Sequence, residues 1–365
     1  MKISVGEARC VMGGVEPGAV YNFPSVELLD DGSFYICARR IRSLTDPKGV
    51  FEAVRYDSET GAVRPMATPA DFEMARHPER GFYTCHVTRI AKHRLLAIYT
   101  VVPNCDETRP MFSPEDDGIQ ETVCRIARSE DGGETWSEPE ELTYHIPDVI
   151  IPSRIQVLRD GTVGFPIEVQ HRYGEPYREP IQGRFVYSVD GGRTFDRAAI
   201  VPHPRDFLAG DARCTFDGEG NLIVFYWGFD LAATRDLAVY RTCSRDCGRT
   251  FDPVAPVALK KQISSPMWID GDHFLCMYQE RFSERPGIKL MLSRDGGWTY
   301  DPETLAELAV FPDTPDTENP FSGFSQYRFG YSTLTRVSAT RALATYWHRD
   351  EQERFGVSCR MIDVR

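Results

Sequence analysis

Four short segments of this chain repeat one pattern, S-x-D-x-G-x-T-aromatic: Ser129–Trp136, Ser188–Phe195, Ser244–Phe251 and Ser293–Tyr300. Their aspartates, Asp131, Asp190, Asp246 and Asp295, stand 59, 56 and 49 residues apart. Repetition of a turn at intervals of this size belongs to a repeated supersecondary unit, whose copies bury apolar faces against one another. The residue types suit a tight turn. Asp accepts backbone N–H groups, Gly supplies positive φ, Ser and Thr add local side-chain bonds, and the aromatic ring packs between strands.

A second repeat runs out of step with the first. Each copy is a β-rich run, a turn and a strongly apolar run: Phe23–Leu29 with Ser33–Ala38, His86–Ile90 with Leu95–Thr100, Ile155–Leu158 with Thr162–Ile167, Ala212–Phe216 with Leu222–Trp227, Met267–Ile269 with His273–Tyr278, and Ser332–Val337 with Ala342–Trp347. Turns such as Asp30-Asp31-Gly32 and Arg159-Asp160-Gly161 make these hairpins. Six hairpins against four boxes imply a degenerate first box near Asp57. Each unit reads as four antiparallel strands with the box between the third and fourth, which predicts an all-β fold, a six-bladed β-propeller spanning residues 1–365 as one domain. The last unit has room for three strands, so the amino-terminal stretch Ile3–Met12 is expected to supply the fourth and close the ring.

The boxes match the Asp-box, or bacterial neuraminidase repeat, and over nearly its whole length the chain resembles the sialidase-like propellers. That resemblance implies a glycan-directed cleft. It offers Tyr331 of Gly330-Tyr331-Ser332 as nucleophile, Asp211 of Gly210-Asp211-Ala212-Arg213 in place of the family's Glu as its base, and Asp46 as acid/base. The chain departs from the family at its arginine triad. Asn22-Phe23-Pro24 stands where Arg-Ile-Pro is expected, and neither Tyr226-Trp227-Gly228 nor Pro286-Gly287-Ile288 supplies the other two arginines. The resemblance therefore implies a relative of the sialidases without ordinary sialidase action.

Propeller topology places a cleft without reference to any family. Inner strands begin, and second strands end, at one end of the axis, while the boxes sit at the other as scaffold. Polar residues converge at the first end: Arg39, His86, Arg154, Glu168, His171, Asp211, Arg213, Glu280, Arg281, Tyr331 and His348. Acids and bases capping otherwise apolar strands point to a binding site, since such residues concentrate on loops held by a rigid scaffold. Three loops are expected to wall it: Arg39–Val50, Val101–Glu121 (with Asp106, Glu107, Asp116 and Asp117, read as a solvated, mobile segment) and Gln170–Gly183 (with His171, Tyr173 and Tyr177).

Three functions fit these residues. A glycoside hydrolase would use Tyr331 activated by Asp211, with Asp46 or Glu168 as acid/base, or two carboxylates, Glu168 with Asp211 or Glu280. A polysaccharide lyase would use Tyr331, His86 or His171 as base and Arg154 against a uronate carboxylate. A non-catalytic propeller would only bind. The partner expected is a carbohydrate. A net charge of −12 without a Lys/Arg-rich run argues against nucleic acid and against anionic membranes. No nucleotide-binding loop or metal-ligand spacing suggests a cofactor, and the oligomeric state is left open. The ten scattered cysteines read as reduced, buried thiols. With an amino terminus lacking an apolar leader, they lead to the expectation of a cytoplasmic protein.

Overall fold

The second run of each hairpin, such as Phe34–Ile41 or Leu222–Asp230, is buried on both faces. A strand reads that way only when sheets cover it on both sides. The computed structural model, which describes all residues except 15–17, 74–75, 117, 176–182, 204–207, 231–234 and 313–325, supplies that cover radially. Asp117 and Tyr177 lie outside the described residues.

Six antiparallel sheets form six blades. The first is Val20–Leu28, Phe34–Ile41, Val50–Tyr56 and Val63–Met66. The second is Gly81–Ala91, Arg94–Val102, Val123–Ser129 and Glu140–Glu141. In the third, Val149–Ile150 and Gln156–Val157 both pair with Val163–Val169, followed by Gly183–Ser188 and Arg197–Ile200. The fourth runs Leu208–Phe216, Leu222–Asp230, Tyr240–Ser244 and Ala255–Pro256. The fifth runs Gln262–Asp270, His273–Glu280, Gly287–Ser293 and Asp301–Val310. The sixth has Phe329–Arg336, Arg341–Arg349 and Phe355–Val364. Its outer edge is completed by Ile3–Val5 and Arg9–Gly13, both antiparallel to Phe355–Val364, so the amino terminus closes the ring as the strand count requires. The expected third inner strand, Ile155–Leu158, holds the short piece Gln156–Val157, and a second piece, Val149–Ile150, precedes it, with Pro152 between the two having no N–H to give the ladder.

The core follows the ring. One apolar cluster fills each blade-to-blade interface: Tyr35, Cys37, Phe82 and Tyr99 between the first and second blades, Leu222, Val224 and Phe185 between the third and fourth, and so around to Trp347, Val357 and Phe34 between the sixth and first. Near the axis, serine hydroxyls stitch alternate pairs of inner strands. Ser25 Oγ accepts the N–H of Val87 at 2.9 Å, Ser153 Oγ that of Cys214 at 3.5 Å, and Ser265 Oγ that of Leu334 at 2.9 Å.

All four boxes form one hydrogen-bonded turn. In the second, Asp190 accepts from Ser188 Oγ (2.6 Å), the Arg193 and Thr194 N–H groups (3.0 Å each) and Thr194 Oγ1 (2.7 Å), while Ser188 Oγ takes the Gly192 N–H at 2.9 Å. The degenerate box near Asp57 keeps the aspartate's bonds to the N–H groups of Glu59 (2.8 Å) and Thr60 (3.1 Å). Boxes sit beside the inner hairpin turns. Gly132 N–H donates to His93 O, and Arg249 pairs with Asp160 of the preceding blade. They therefore occupy the end of the axis away from the inner-strand starts.

Candidate active site

At that other end the inner strands share a local defect. Their ladders slip between Asn22 and Ser25, Phe82 and Cys85, Gly210 and Arg213, Ile263 and Ser265, and Gly330 and Thr333. A β-bulge re-aims the side chain it carries. Here the bulged residues Phe23, Asp211 and Tyr331 adopt positive φ (49°, 57° and 30°) and turn their side chains onto the axis. Non-glycine residues in that region are uncommon and concentrate at functional sites. The cavity they floor is lined by all three.

Its two sides differ in chemistry. One is apolar: Phe23 packs edge-on against Tyr83 (5.2 Å) and Tyr331 (5.4 Å), Tyr83 meets Phe112 (5.5 Å), and Leu44, Met111 and Ile150 complete the surface. The other side belongs to the third, fourth and fifth blades and carries Glu168, Gln170, Asp211, Arg213, Gln262, Gln279 and Arg281. Trp227 also lines it, its indole held by an Nε1–H bond to Asp236 at 2.8 Å.

Among the described residues, Glu168 and Asp211 are the carboxylates of this cavity. Glu168 is buried, and Oε1 accepts the Ala212 N–H at 3.0 Å. Burial, reinforced by the nearby Asp211 charge, lifts its pKa from 4.5 to about 7 against that hydrogen bond. Asp211 is held on both oxygens, by Arg213 Nη2 at 3.1 Å and by Gln262 Nε2 at 2.8 Å. Gln262 is oriented in turn by Arg281, which donates to its Oε1 and to Gln279 Oε1 and lies 4.2 Å over the Tyr327 ring. Burial works against the Arg213 charge, but Asp211 and the other acidic neighbours raise its pKa overall.

Of the residues expected in the cleft, Glu168, Asp211, Arg213, Arg281 and Tyr331 line it. The expected pairing of Tyr331 with Asp211 is not formed. The bulge turns Asp211 towards Arg213 and Gln262, whereas the Tyr331 hydroxyl donates to Pro152 O at 3.1 Å and lies 3.3 and 3.5 Å from the ring nitrogens of His86. Burial and, secondarily, Asp211 hold the Tyr331 hydroxyl up at about 12, with Arg213 4.7 Å over its ring opposing them. Asp46 also departs from its expected role. Its carboxylate turns back into its own loop to bind Arg42 (2.7 and 3.1 Å) and the Lys48 N–H, and Arg42 keeps it below the usual range despite burial.

Several others face elsewhere. Arg39 is fully buried, donating to Phe82 O and Asp46 O, and burial lowers its pKa to about 10. Glu280 points outward between Lys261 and Lys289. His348 binds Ser358 Oγ at 2.8 Å, and His171 binds Asp116 O at 2.7 Å. His86 and Arg154 line the axial channel beneath the floor rather than the cleft. Nε2 of His86 lies 2.9 Å from Ile151 O, and burial lowers its pKa to about 3.

The loop read as mobile is tied down. Ile119 bridges to Arg172, Tyr173 donates to Pro110 O at 2.6 Å, Gln120 bonds the Asp106 backbone, and Glu107 pairs with Arg42 and Lys48. Sequence reasoning missed Phe23 and Tyr83 as floor residues and Gln262 and Gln279 as partners of the charged groups. A signal for the floor existed in the Gly-x-small steps Gly210-Asp211-Ala212 and Gly330-Tyr331-Ser332, each marking a bulge.

Residues 75–343 match the model of the BNR repeat-like domain family. A protein of unknown function from Dyadobacter fermentans DSM 18053 superposes with a TM-score of 0.71 at 15% identity, over 98% of this chain and 99% of that one. The Hadza microbial sialidase Hz136 gives 0.63 at 17% identity, over 94% of this chain and 66% of that one. The Penicillium chrysogenum alpha-L-arabinanase complexed with arabinobiose gives 0.59 at 14% identity, over 98% of each chain. No curated protein matches the sequence. At these identities the likeness is one of fold.

Proposed function

The chain belongs to the BNR repeat-like domain family, and from that premise we propose that it is a glycoside hydrolase, distinct from an ordinary sialidase, that removes a terminal sugar from a glycan. One observation carries the reading: two carboxyl groups share the cavity in different surroundings, Glu168 buried and Asp211 held by Arg213 and Gln262. Hydrolysis of a glycosidic bond needs one carboxyl group that keeps its proton near neutrality and a second that is ionised. Glu168, lifted to about 7, is the proton donor to the leaving oxygen. Asp211, held by Arg213 and Gln262, is the carboxylate that meets the anomeric carbon or activates water. Gln170, Gln279 and Arg281 present hydrogen-bond donors and acceptors to hydroxyls, and the opposite aromatic side offers faces for the sugar ring. That solved propellers of similar fold include a sialidase and an arabinanase supports the substrate class by analogy only.

The test is an activity screen on aryl glycosides and uronate oligosaccharides with the native protein and Glu168→Gln. Sugar release that collapses in the variant establishes the reading. A second reading, a polysaccharide lyase, is favoured by the Tyr331 hydroxyl lying beside neutral His86. Ultraviolet-absorbing unsaturated products, formed equally well by Glu168→Gln, would replace the first reading with that one.

A further inference from the structure

Beneath the cleft floor, the inner strands of all six blades enclose an axial channel. Four arginines line it, Arg89, Arg154, Arg213 and Arg336, and among the described residues no aspartate or glutamate does. The chain as a whole carries a net charge of −12, so this is a local reversal of sign. The carboxylates that pair with these arginines are not part of the channel lining: Glu27 takes Arg154, Asp30 takes Arg89, and Asp211, in the cleft above, takes Arg213. Among the described residues Arg336 pairs with no carboxylate. It donates to Ser338 O and Ile269 O and lies 4.8 Å from the Trp268 ring centroid.

The arginines form a ladder. Arg213 stands two residues below its bulge and Arg336 five below Tyr331, roughly 16 Å down the strand at the rise of extended backbone. At the upper rung two unsatisfied groups face a demand. Arg213 is 5% exposed, and among the described residues its Nε and Nη1 reach no acceptor and the buried Oγ1 of Thr333, also in the channel wall, has no partner. Buried donors left without acceptors are costly, and a guanidinium matches an oxyanion's geometry with paired N–H groups. A channel lined by one sign of charge, with low-dielectric walls, also concentrates the opposite ion.

We propose that the channel is a second binding site, for a small inorganic oxyanion of sulfate or phosphate size, held between Arg154 and Arg213 with Ser153 and Thr333 as hydroxyl partners. It is separate from the cleft and does not depend on the hydrolase reading. Arg213 and Tyr331 line both spaces, so an anion below would fix the floor of the site above.

The experiment titrates the full-length protein with sodium sulfate and with inorganic phosphate by calorimetry and thermal shift, holding ionic strength constant with sodium chloride. Saturable binding of sulfate or phosphate is expected, weakened at least tenfold by Arg154→Gln and several-fold by Arg336→Gln at the open end. Because Arg154→Gln strands buried Glu27, the double variant Glu27→Gln/Arg154→Gln is measured beside it, and it should fold and still fail to bind. A response that follows ionic strength alone, without saturation, overturns the proposal, as does saturable binding unchanged in all three variants.

Discussion

Carboxylates at the two ends of this propeller meet opposite fates. At the box end, Asp190 accepts four hydrogen bonds from its own turn, and these hold its pKa down despite the opposing effect of burial. At the cleft end, Glu168 sits buried beside a second carboxylate and is lifted to about 7, against the Ala212 N–H that donates to its Oε1. The same chemical group is thus a fixed anion in one place and a proton reservoir in the other. The difference lies in burial and neighbours: Glu168 is enclosed beside Asp211, whereas Asp190 is exposed and gains two hydroxyl donors besides its two N–H groups. A turn of the S-x-D-x-G-x-T type converges N–H and hydroxyl donors on one exposed carboxylate, whereas the strand end holds Glu168 buried at the edge of a cavity. Scaffold acids and candidate catalytic acids are separated by that environment.

The comparison breaks first at Glu168. Glu168→Gln keeps the acceptor for Ala212 N–H and removes the proton, so kcat on an aryl glycoside with a poor leaving group should fall by about 10² to 10⁴-fold, with circular dichroism unchanged. Stability gives an independent reading of the same group. A carboxyl whose folded pKa is raised favours the folded state while protonated, so stability falls as pH rises from about 4.5 to about 7, by roughly 3 kcal/mol in all. The variant should flatten that decline in urea titrations. A native profile that is already flat over this range would show that Glu168 is not held as an acid.

Asp211→Asn sharpens the cause. Burial contributes most to the lift at Glu168 and the Asp211 charge comes second. With that charge removed, the Glu168 titration followed by carbon NMR should move about one unit lower and remain above 4.5. A titration that does not move would assign the whole effect to burial.

How much of this was legible in the residues follows the same divide. The boxes are local: every donor to Asp190 lies within four residues of it, so spacing along the chain shows the turn and, by repetition, the blades. The amino-terminal closing strand followed from counting strands. The cleft depends on one-residue alternation at strand ends, which sequence does not phase. Arg281 enters the cavity while its neighbour Glu280 turns out to Lys261 and Lys289, and Arg39 is buried while Arg40 meets Glu52 at the surface. Bulges shift that phase again, which brought Phe23 and Tyr83 onto the floor. Asp46 lies in a loop whose Leu44 and Thr45 reach the cavity, but its carboxylate is consumed by Arg42 and the Lys48 N–H, an internal satisfaction that residue types alone do not reveal.

At the box end the expected effects are on stability. Asp190→Ala deletes four hydrogen bonds in a solvent-exposed turn and should cost about 1–2 kcal/mol, a shift of a few degrees in melting temperature, with kcat and KM unchanged. The sign with pH is opposite to that at Glu168. A depressed carboxylate contributes stability above its unfolded pKa near 3.8 and loses it as pH falls further. The variant should therefore lose part of the native protein's acid sensitivity below pH 4. A drop in kcat from this change, at the far end of the axis, would undo the separation of scaffold from site.

The smallest effect is expected where the family resemblance implies the largest. If Tyr331 were the nucleophile, Tyr331→Phe would abolish turnover. In this structure its hydroxyl donates to Pro152 O and lies beside His86, Asp211 is engaged elsewhere, and the phenol is held at about 12 by burial with Asp211 adding to it. A phenol so placed keeps its proton at neutral pH and has no base in contact to remove it, apart from a histidine whose Nε2 already binds Ile151 O. Tyr331→Phe retains the ring that packs on Phe23 and under Arg213, so kcat/KM should fall less than tenfold, with KM carrying most of the change. A loss of 10³-fold or more in kcat, with Glu168→Gln also inactive, would return the nucleophile to Tyr331 and require Asp211 to swing from Arg213 to the hydroxyl during turnover.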